Sequence, residues 1–417
     1  MRITHRILCG VLTAALTVSL VTSTGVLAAD DTVPIDQANF PDAALRAWLL
    51  DEDNLGGAGA DGLLTGTELS AVTDLRLAGL GIADLSGIQH FTALESLTVK
   101  DNALTSLDMS GNPRLRFLHC ANNALTSLNV TGCPQLVELN CEHNRLETLD
   151  LSGNPALVQL YCRHNDLKAL DVSHNPELAF IETFDNRLEE FDCSMLKKLK
   201  FLHIDFNRLT TLDMSGNPSL EGNGFVAANN HLTSLTLPAI PNFRLEASVF
   251  YEQNPLVGYD RVEWFEDPGF TRPVAATDLL EANGQTLYAY WVPNPYTVYY
   301  RANGGTGNME PQSAVYGSSF ALRPNTFTRT GYTFTAWSNY SDGVGGQSFP
   351  DGQTVQNLAG QNGSRTAAYL YAQWAPTPTP CALTPTAAKG RWTICRVSTT
   401  PNCRCRTVVF PTRPACL

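Results

Sequence analysis

At 417 residues the chain has room for two or three folded units at ~150 residues per domain, and 43% hydrophobic with 16% charged residues is a globular composition. The net charge of −12 argues against nucleic acid or an anionic membrane as the main partner and leaves a protein, a sugar or a cationic surface. Eleven cysteines fall into two groups with different surroundings, so position rather than number decides how they are read.

Residues 1–29 read as an export signal. Arg2 and Arg6 form a basic start, Ile7 to Val26 is an apolar run, and Ala28 and Ala29 are small residues before Asp30. The run is short for a membrane span and is interrupted near its end, and no later segment has the ~20 apolar residues that a spanning helix needs. A secreted or extracellular cell-surface location follows.

Residues 30–71 read as a helical cap. Phe40, Ala44, Leu45, Trp48 and Leu49 have helical spacing, with Asn39 and Pro41 as the start signal. Asp61, Gly62 and Glu68 match the second half of an EF-hand loop, so calcium would have to recruit Asp51 and Asp53 across an insertion. The competing reading is a Thr65-x-x-Glu68 capping box for a second helix.

Residues 72–240 carry the organising signal. Asn102, Asn123, Asn144, Asn165, Asn186 and Asn207 recur every 21 residues, and Asn230 follows after a two-residue insertion. The unit, as in Leu136 to Pro155, reads Leu-x-x-Leu-x-Cys-x-x-Asn-x-Leu-x-x-Leu-Asp-Leu-Ser-Gly-Asn-Pro. This is a leucine-rich-repeat spacing, and it predicts an α/β solenoid whose short strands pair in a parallel ladder at ~4.8 Å.

Leu115, Leu118 and Leu125 should then point inward, as should Leu136, Leu139 and Leu146 one turn on. An asparagine column can satisfy backbone groups that the bending chain leaves unpaired. The outer side has room only for extended or 3₁₀ segments, expected at Asp150 to Pro155 and its equivalents. Cys120, Cys141 and Cys162 stack at the third core position. With β-carbons ~4.8 Å apart, beyond the disulfide optimum, they read as small core residues rather than a metal or redox site. Cys193 reads the same way, and Cys133 replaces a corner asparagine.

The positions flanking each strand point outward. One column runs Arg76, Thr98, His119, Asn140, Tyr161, Glu182, His203, and a second runs Lys100, Ala121, Glu142, Arg163, Phe184, Asp205. A third runs Asp101, Asn122, His143, His164, Asp185, Phe206, with Phe117, Phe180 and Phe201 on the near side. The core columns repeat while these vary, as expected of a solenoid whose face is shaped for a partner. Aromatics, Arg and His on an exposed sheet favour protein contacts. The alternative is a solvated face with incidental aromatics. His143 and His164 should stack one turn apart near Glu142, which gives two imidazoles but no fuller ligand set.

Residues 241–293 turn strand-like and aromatic, ending in Leu287-Tyr-Ala-Tyr-Trp291. They read as a β-rich junction or a degenerate copy of the module at 294–374. Residues 294–374 carry Tyr296-Thr-Val-Tyr-Tyr-Arg-Ala-Asn-Gly-Gly305, Tyr316-Gly-Ser-Ser-Phe320, Gly331-Tyr-Thr-Phe-Thr-Ala-Trp337 and Leu370-Tyr-Ala-Gln-Trp374. In 375–417 a Thr/Pro linker precedes five cysteines and six Lys or Arg without Asp or Glu. That tail can be read as a disulfide-bonded appendage, a wall-associating basic tail or an aberrant end of the reading frame.

These motifs carry two resemblances. Residues 72–235 resemble the internalin-like leucine-rich-repeat proteins of bacterial surfaces, since Val72-x-x-Leu75-x-Leu77-x-x-Leu80-x-Ile82 looks like the internalin repeat. The resemblance implies a concave strand face that binds a protein. The four motif pieces of 294–374 resemble the Listeria-Bacteroides repeat, a β-grasp-like module that acts as spacer or adhesive unit.

No catalytic constellation emerges. Asn303-Gly-Gly-Thr-Gly belongs to a hairpin with no helix behind it to cradle phosphate. No enzyme activity, cofactor or metal is therefore expected. The expected partner is a protein, bound by a monomeric chain through Arg76, Phe117, His119, Asn140, Glu142, His143, Tyr161, Arg163, His164, Phe180, Glu182, Phe184, Phe201, His203, Asp205 and Phe206. The alternative is an envelope glycan met by C-terminal aromatics such as Trp337 and Trp374.

Overall fold

The computed structural model describes residues 31–221, 224–254, 258–359 and 366–378, and the backbone of 391–395 and 405–409. The expected export signal lies outside the described residues, as do Cys381, Cys403 and Cys416 of the tail. Two compact units divide the chain: one takes residues up to Asn254 with Glu263–Tyr290, the other takes 255–262 and residues from Trp291 onward.

The first unit opens with strand Thr32–Pro34 paired antiparallel to Leu63–Thr65. Helix Ala43–Leu49 buries Leu45 and Leu49. Its start differs from the expected Asn39 and Pro41. The N-cap is Asp42, whose Oδ1 accepts from the Ala44 and Leu45 amides while Oδ2 accepts from Ala83 and Asp84 of the first repeat turn. One carboxylate thus caps the helix and ties it to the solenoid. Helix Gly66–Ala71 begins with the Thr65–Glu68 capping box, both reciprocal bonds formed. Asp51 and Asp61 instead accept from the nearby Asp53 and Leu63 amides, so these carboxylates close local turns.

Burial pushes the Asp42 carboxyl up, but the amides of Ala83, Leu45, Asp84 and Ala44 outweigh it and hold the pKa below the usual carboxylate range. A depressed pKa stabilises the fold above the unfolded value, and that contribution is lost as pH falls through the lowered one. Asp42→Ala should therefore cost about 1–2 kcal/mol at neutral pH. In urea denaturation the gap from the unsubstituted chain should close in acid.

Eight parallel strands follow in one sheet: Asp74–Arg76, Ser96–Thr98, Phe117–His119, Glu138–Asn140, Gln159–Tyr161, Phe180–Glu182, Phe201–His203 and Phe225–Val226. The 21-residue spacing becomes strict register, with Glu138 opposite Gln159, Leu139 opposite Leu160 and Asn140 opposite Tyr161. Each three-residue strand buries its central residue and turns its neighbours outward, and in Phe225–Val226 the buried residue is Phe225. Leu115, Leu118, Leu125, Leu136, Leu139 and Leu146 are all buried.

The asparagine column works as expected and is continuous. Asn144 Oδ1 accepts from Leu125 N at 2.9 Å, and its Nδ2 donates to Cys120 O and Cys141 O at 3.1 and 3.0 Å. Asn165 repeats this against Leu146, Cys141 and Cys162. Each ladder carbonyl is thus shared between consecutive asparagines. A second column, Asn112, Asn154, Asn175 and Asn217, bridges turns at the opposite corner through Nδ2 alone, each side chain donating to two backbone carbonyls, while the Oδ1 atoms of Asn112, Asn154 and Asn175 are buried without a partner among the described residues. Cys133 stands in that column, and its thiol donates to Met109 O at 3.2 Å, which accounts for a residue that the repeat alone leaves unexplained.

The outer side is extended in part, with Ser106–Asp108 parallel to Ser127–Asn129 and Thr211–Asp213 parallel to Ser234–Thr236. Asp150 to Pro155, expected to be extended or 3₁₀, forms a turn in which Asn154 N donates to Leu151 O at 3.0 Å, without a 3₁₀ helix. Asp150 accepts from Ser152 N, and Asp171, Asp192 and Asp213 repeat this bond, so side chains close tight turns in place of a helix. Within the solenoid's described residues a 3₁₀ helix occurs at Ile88–His90.

The ladder also runs past Leu235. Gln253 takes the asparagine role: its Oε1 accepts from Asn230 N and Leu232 N, and its Nε2 donates to Ala227 O and Phe250 O. Residues 241–254 therefore supply one more stacked turn, with Phe250 and Trp264 edge to face beneath it at 5.2 Å.

In the second unit, Pro295–Arg301 and Ala367–Pro376 are parallel neighbours at the centre of a five-stranded sheet, flanked by Gln312–Val315 and Tyr332–Ser338. This central parallel pair is the β-grasp-like feature, although no helix occurs among the described residues of the module. Trp337 fills the core against Tyr300, Phe334 and Phe327. Strands Arg391–Cys395 and Cys405–Val409 pair antiparallel.

Candidate functional site

Strand register, not loop folding, builds the candidate surface, because every 21 residues the same outward position lands ~4.8 Å further along the sheet. The first flanking column holds Asp74, Ser96, Phe117, Glu138, Gln159, Phe180 and Phe201, and the second holds Arg76, Thr98, His119, Asn140, Tyr161, Glu182 and His203. Phe180 and Phe206 are exposed, while Phe117, Tyr161, Phe184 and Phe201 are half-buried. Ala121 is buried, so the column that runs Lys100, Ala121, Glu142, Arg163, Phe184 and Asp205 narrows there.

These side chains hold one another. His119 Nε2 lies 2.8 Å from Glu138 Oε1, and Tyr161 Oη donates to Gln159 Oε1 at 3.0 Å. Arg163 donates through Nε to Glu142 and places Nη1 3.9 Å from Glu182, with its guanidinium 5.3 Å from the centre of the Phe184 ring. His143 and His164 stack at 4.2 Å, His164 meets Phe184 edge-on, and its Nδ1 lies 2.6 Å from Asp185 Oδ2. Phe180 tilts toward Phe201, which packs on His203 at 4.1 Å. Arg76 stands apart, exposed and paired with Asp74 on its own strand. Glu138 and Gln159 are missed by sequence reasoning that picked out only the phenylalanines of their column, although the same 21-residue spacing marks them.

The third outward column has a further property. Asp101, Asn122, His143, His164, Asp185 and Phe206 all have φ between 52° and 59°. That left-handed conformation costs an ordinary side chain about 1–2 kcal/mol, and Asp, Asn and His tolerate it best. Five of the six positions obey this preference. Phe206 breaks it and leaves half its ring in solvent. Strain held in an exposed aromatic points to function rather than to folding.

Electrostatics sharpen the picture. Burial, reinforced by Glu138, Glu182 and Glu142, pushes the Tyr161 phenol up, so it stays a neutral hydroxyl on the strand face. Burial lowers the His203 pKa against the pull of Asp205 and Glu182, and raises that of Asp205. Behind the face, burial pushes the Cys120 and Cys162 thiols up to about 12 and Cys141 well above its ordinary value, which keeps the stack protonated and inert. The sugar-binding expectation fails at Trp337, which is fully buried. Trp374 is half-buried and donates Nε1 to Ala302 O.

Two family models match parts of the chain that fit this architecture. A model for leucine-rich repeats in two copies matches residues 113–153, and one for the Listeria-Bacteroides repeat domain matches 296–359. A protein of Evansella cellulosilytica, provisionally named as a membrane protein, is 34% identical over 122 residues, covering 28% of this chain and 17% of its own length. The chain thus spans less than a fifth of the curated relatives it matches. The functional domain of InlJ from Listeria monocytogenes, described as including a cysteine ladder, is 29% identical with a TM-score of 0.45, covering 54% of this chain and 52% of that one. Internalin C2 from the same species is 22% identical with a TM-score of 0.40, covering 48% and 89%. Among the described residues no helix is long and apolar enough to cross a membrane. The chain therefore carries leucine-rich repeats stacked as a parallel-strand solenoid, followed by a Listeria-Bacteroides repeat domain.

Proposed function

We propose that this is a secreted or cell-surface protein that binds another protein through the outward columns of its solenoid strands, in adhesion or host interaction, with the C-terminal module as spacer. The observation that carries the reading is the contrast between columns. Core positions repeat leucine, cysteine and asparagine turn after turn, whereas the outward positions differ at nearly every turn and gather rings and charges. Large rigid rings bury contact area at low entropic cost, and a central cluster of them is the usual energetic centre of an interface. Phe206 strengthens the case, because a strained position there holds a ring that is half in solvent.

The test is capture of partners from the organism's native surroundings by the full chain, with alanine at Tyr161, Phe184, His203 and Phe206 as the comparison. Partners identified by mass spectrometry should be lost from the substituted chain while its circular dichroism stays unchanged. Retention of the same partners would refute the strand-face reading.

A further inference from the structure

The protein shows at Arg163 how its own strand face holds a guanidinium: two carboxylates, Glu142 and Glu182, grip it, and the Phe184 ring lies beneath. Arg163, Phe184 and Asp205 are consecutive members of one column, 21 residues apart. Asp205 is half-buried, and among the described residues no Lys or Arg forms an ion pair with it. A carboxylate taken partly out of water without a counter-charge is a standing cost that an incoming cation relieves. Phe206, the exposed and strained ring, is its chain neighbour, and His203, two residues before Asp205, packs tilted against Phe201. Burial keeps the His203 imidazole neutral, so it adds no competing charge. Glu182 and Asp185 on the preceding turn add negative potential.

We infer that the C-terminal end of the strand face is a socket for one Arg or Lys side chain of a protein partner, which pairs with Asp205 and lies against the rings of His203 and Phe206. A guanidinium fits better than an ammonium, since its planar, weakly hydrated ion stacks on rings and forks to a carboxylate. This rests on the protein-binding reading and adds the chemistry of its anchor.

The experiment uses a phage-displayed library of random linear peptides selected on the full chain. Selected peptides should be enriched in Arg or Lys, and replacing that residue by citrulline or glutamine should weaken binding at least about tenfold. Asp205→Asn, which keeps the shape, should do the same. Phe206→Asn should weaken binding while leaving the melting temperature equal or higher, because it restores the residue type that the left-handed position prefers; misfolding cannot then explain the loss. Failure to enrich a cationic peptide overturns the inference. So does binding to Asp205→Asn within about twofold of the unsubstituted chain. Peptides that lose Tyr161→Ala but keep Asp205→Asn would overturn the socket and leave the strand-face reading standing, whereas peptides indifferent to both would overturn both.

Discussion

Asn165→Ala should destabilise the solenoid by about 3 kcal/mol. The Oδ1 of Asn165 accepts from the Leu146 amide at 3.0 Å, and its Nδ2 reaches Cys141 O, Cys162 O and Arg163 O. Alanine leaves the Leu146 amide buried without a partner, an unsatisfied donor that alone costs about 1–3 kcal/mol. Cys141 O still accepts from Asn144, and Cys162 O from Asn186, so those carbonyls lose one of two bonds and the rest of the penalty is smaller. Urea denaturation followed at 222 nm measures the effect. A loss below about 1 kcal/mol would mean that water replaces the ladder bonds and that the column is not what holds successive turns together.

Trp337→Ala should cost the second unit about 3–5 kcal/mol, the range for deleting a large buried aromatic. Trp337 is fully enclosed, with Tyr300, Phe334 and Phe327 ring centres 4.9, 5.0 and 6.1 Å away. Its indole Nε1 is buried without a hydrogen-bond partner. Trp337→Phe therefore removes an unsatisfied donor along with volume and should be much milder than alanine. Amide exchange at Ala368, Leu370 and Ala372, on the central strand, reports the difference. A surface sugar contact at Trp337 would instead leave exchange unchanged in both variants, and the burial already argues against it.

The solenoid was legible because a period constrains many residues at once. Leu139, Cys141 and Asn144 each have counterparts 21 residues away, so a single geometry had to satisfy every column. The same logic placed Tyr161, Glu182 and His203 side by side on the outward face. Features without a period were hidden. Gln253 continues the ladder with one more methylene and a two-residue insertion behind it, so matching on asparagine stops one turn early. Trp337 sits in an alternating strand where sequence gives two faces but not which of them is covered. The left-handed column was written as a preference for Asp, Asn and His, yet it became visible only with the backbone angle that explains it, and with it the anomaly at Phe206. The pairing of Arg163 with two glutamates also depends on side-chain reach across turns, which spacing alone does not give.

The most direct test of the account is where a captured partner touches the chain. Hydrogen exchange of the full chain with and without that partner should show protection concentrated in Glu138–Asn140, Gln159–Tyr161, Phe180–Glu182 and Phe201–His203 and in the residues just after each strand, up to Phe206. Protection confined to the Listeria-Bacteroides repeat domain at 296–359, with the solenoid strands unchanged, would contradict it.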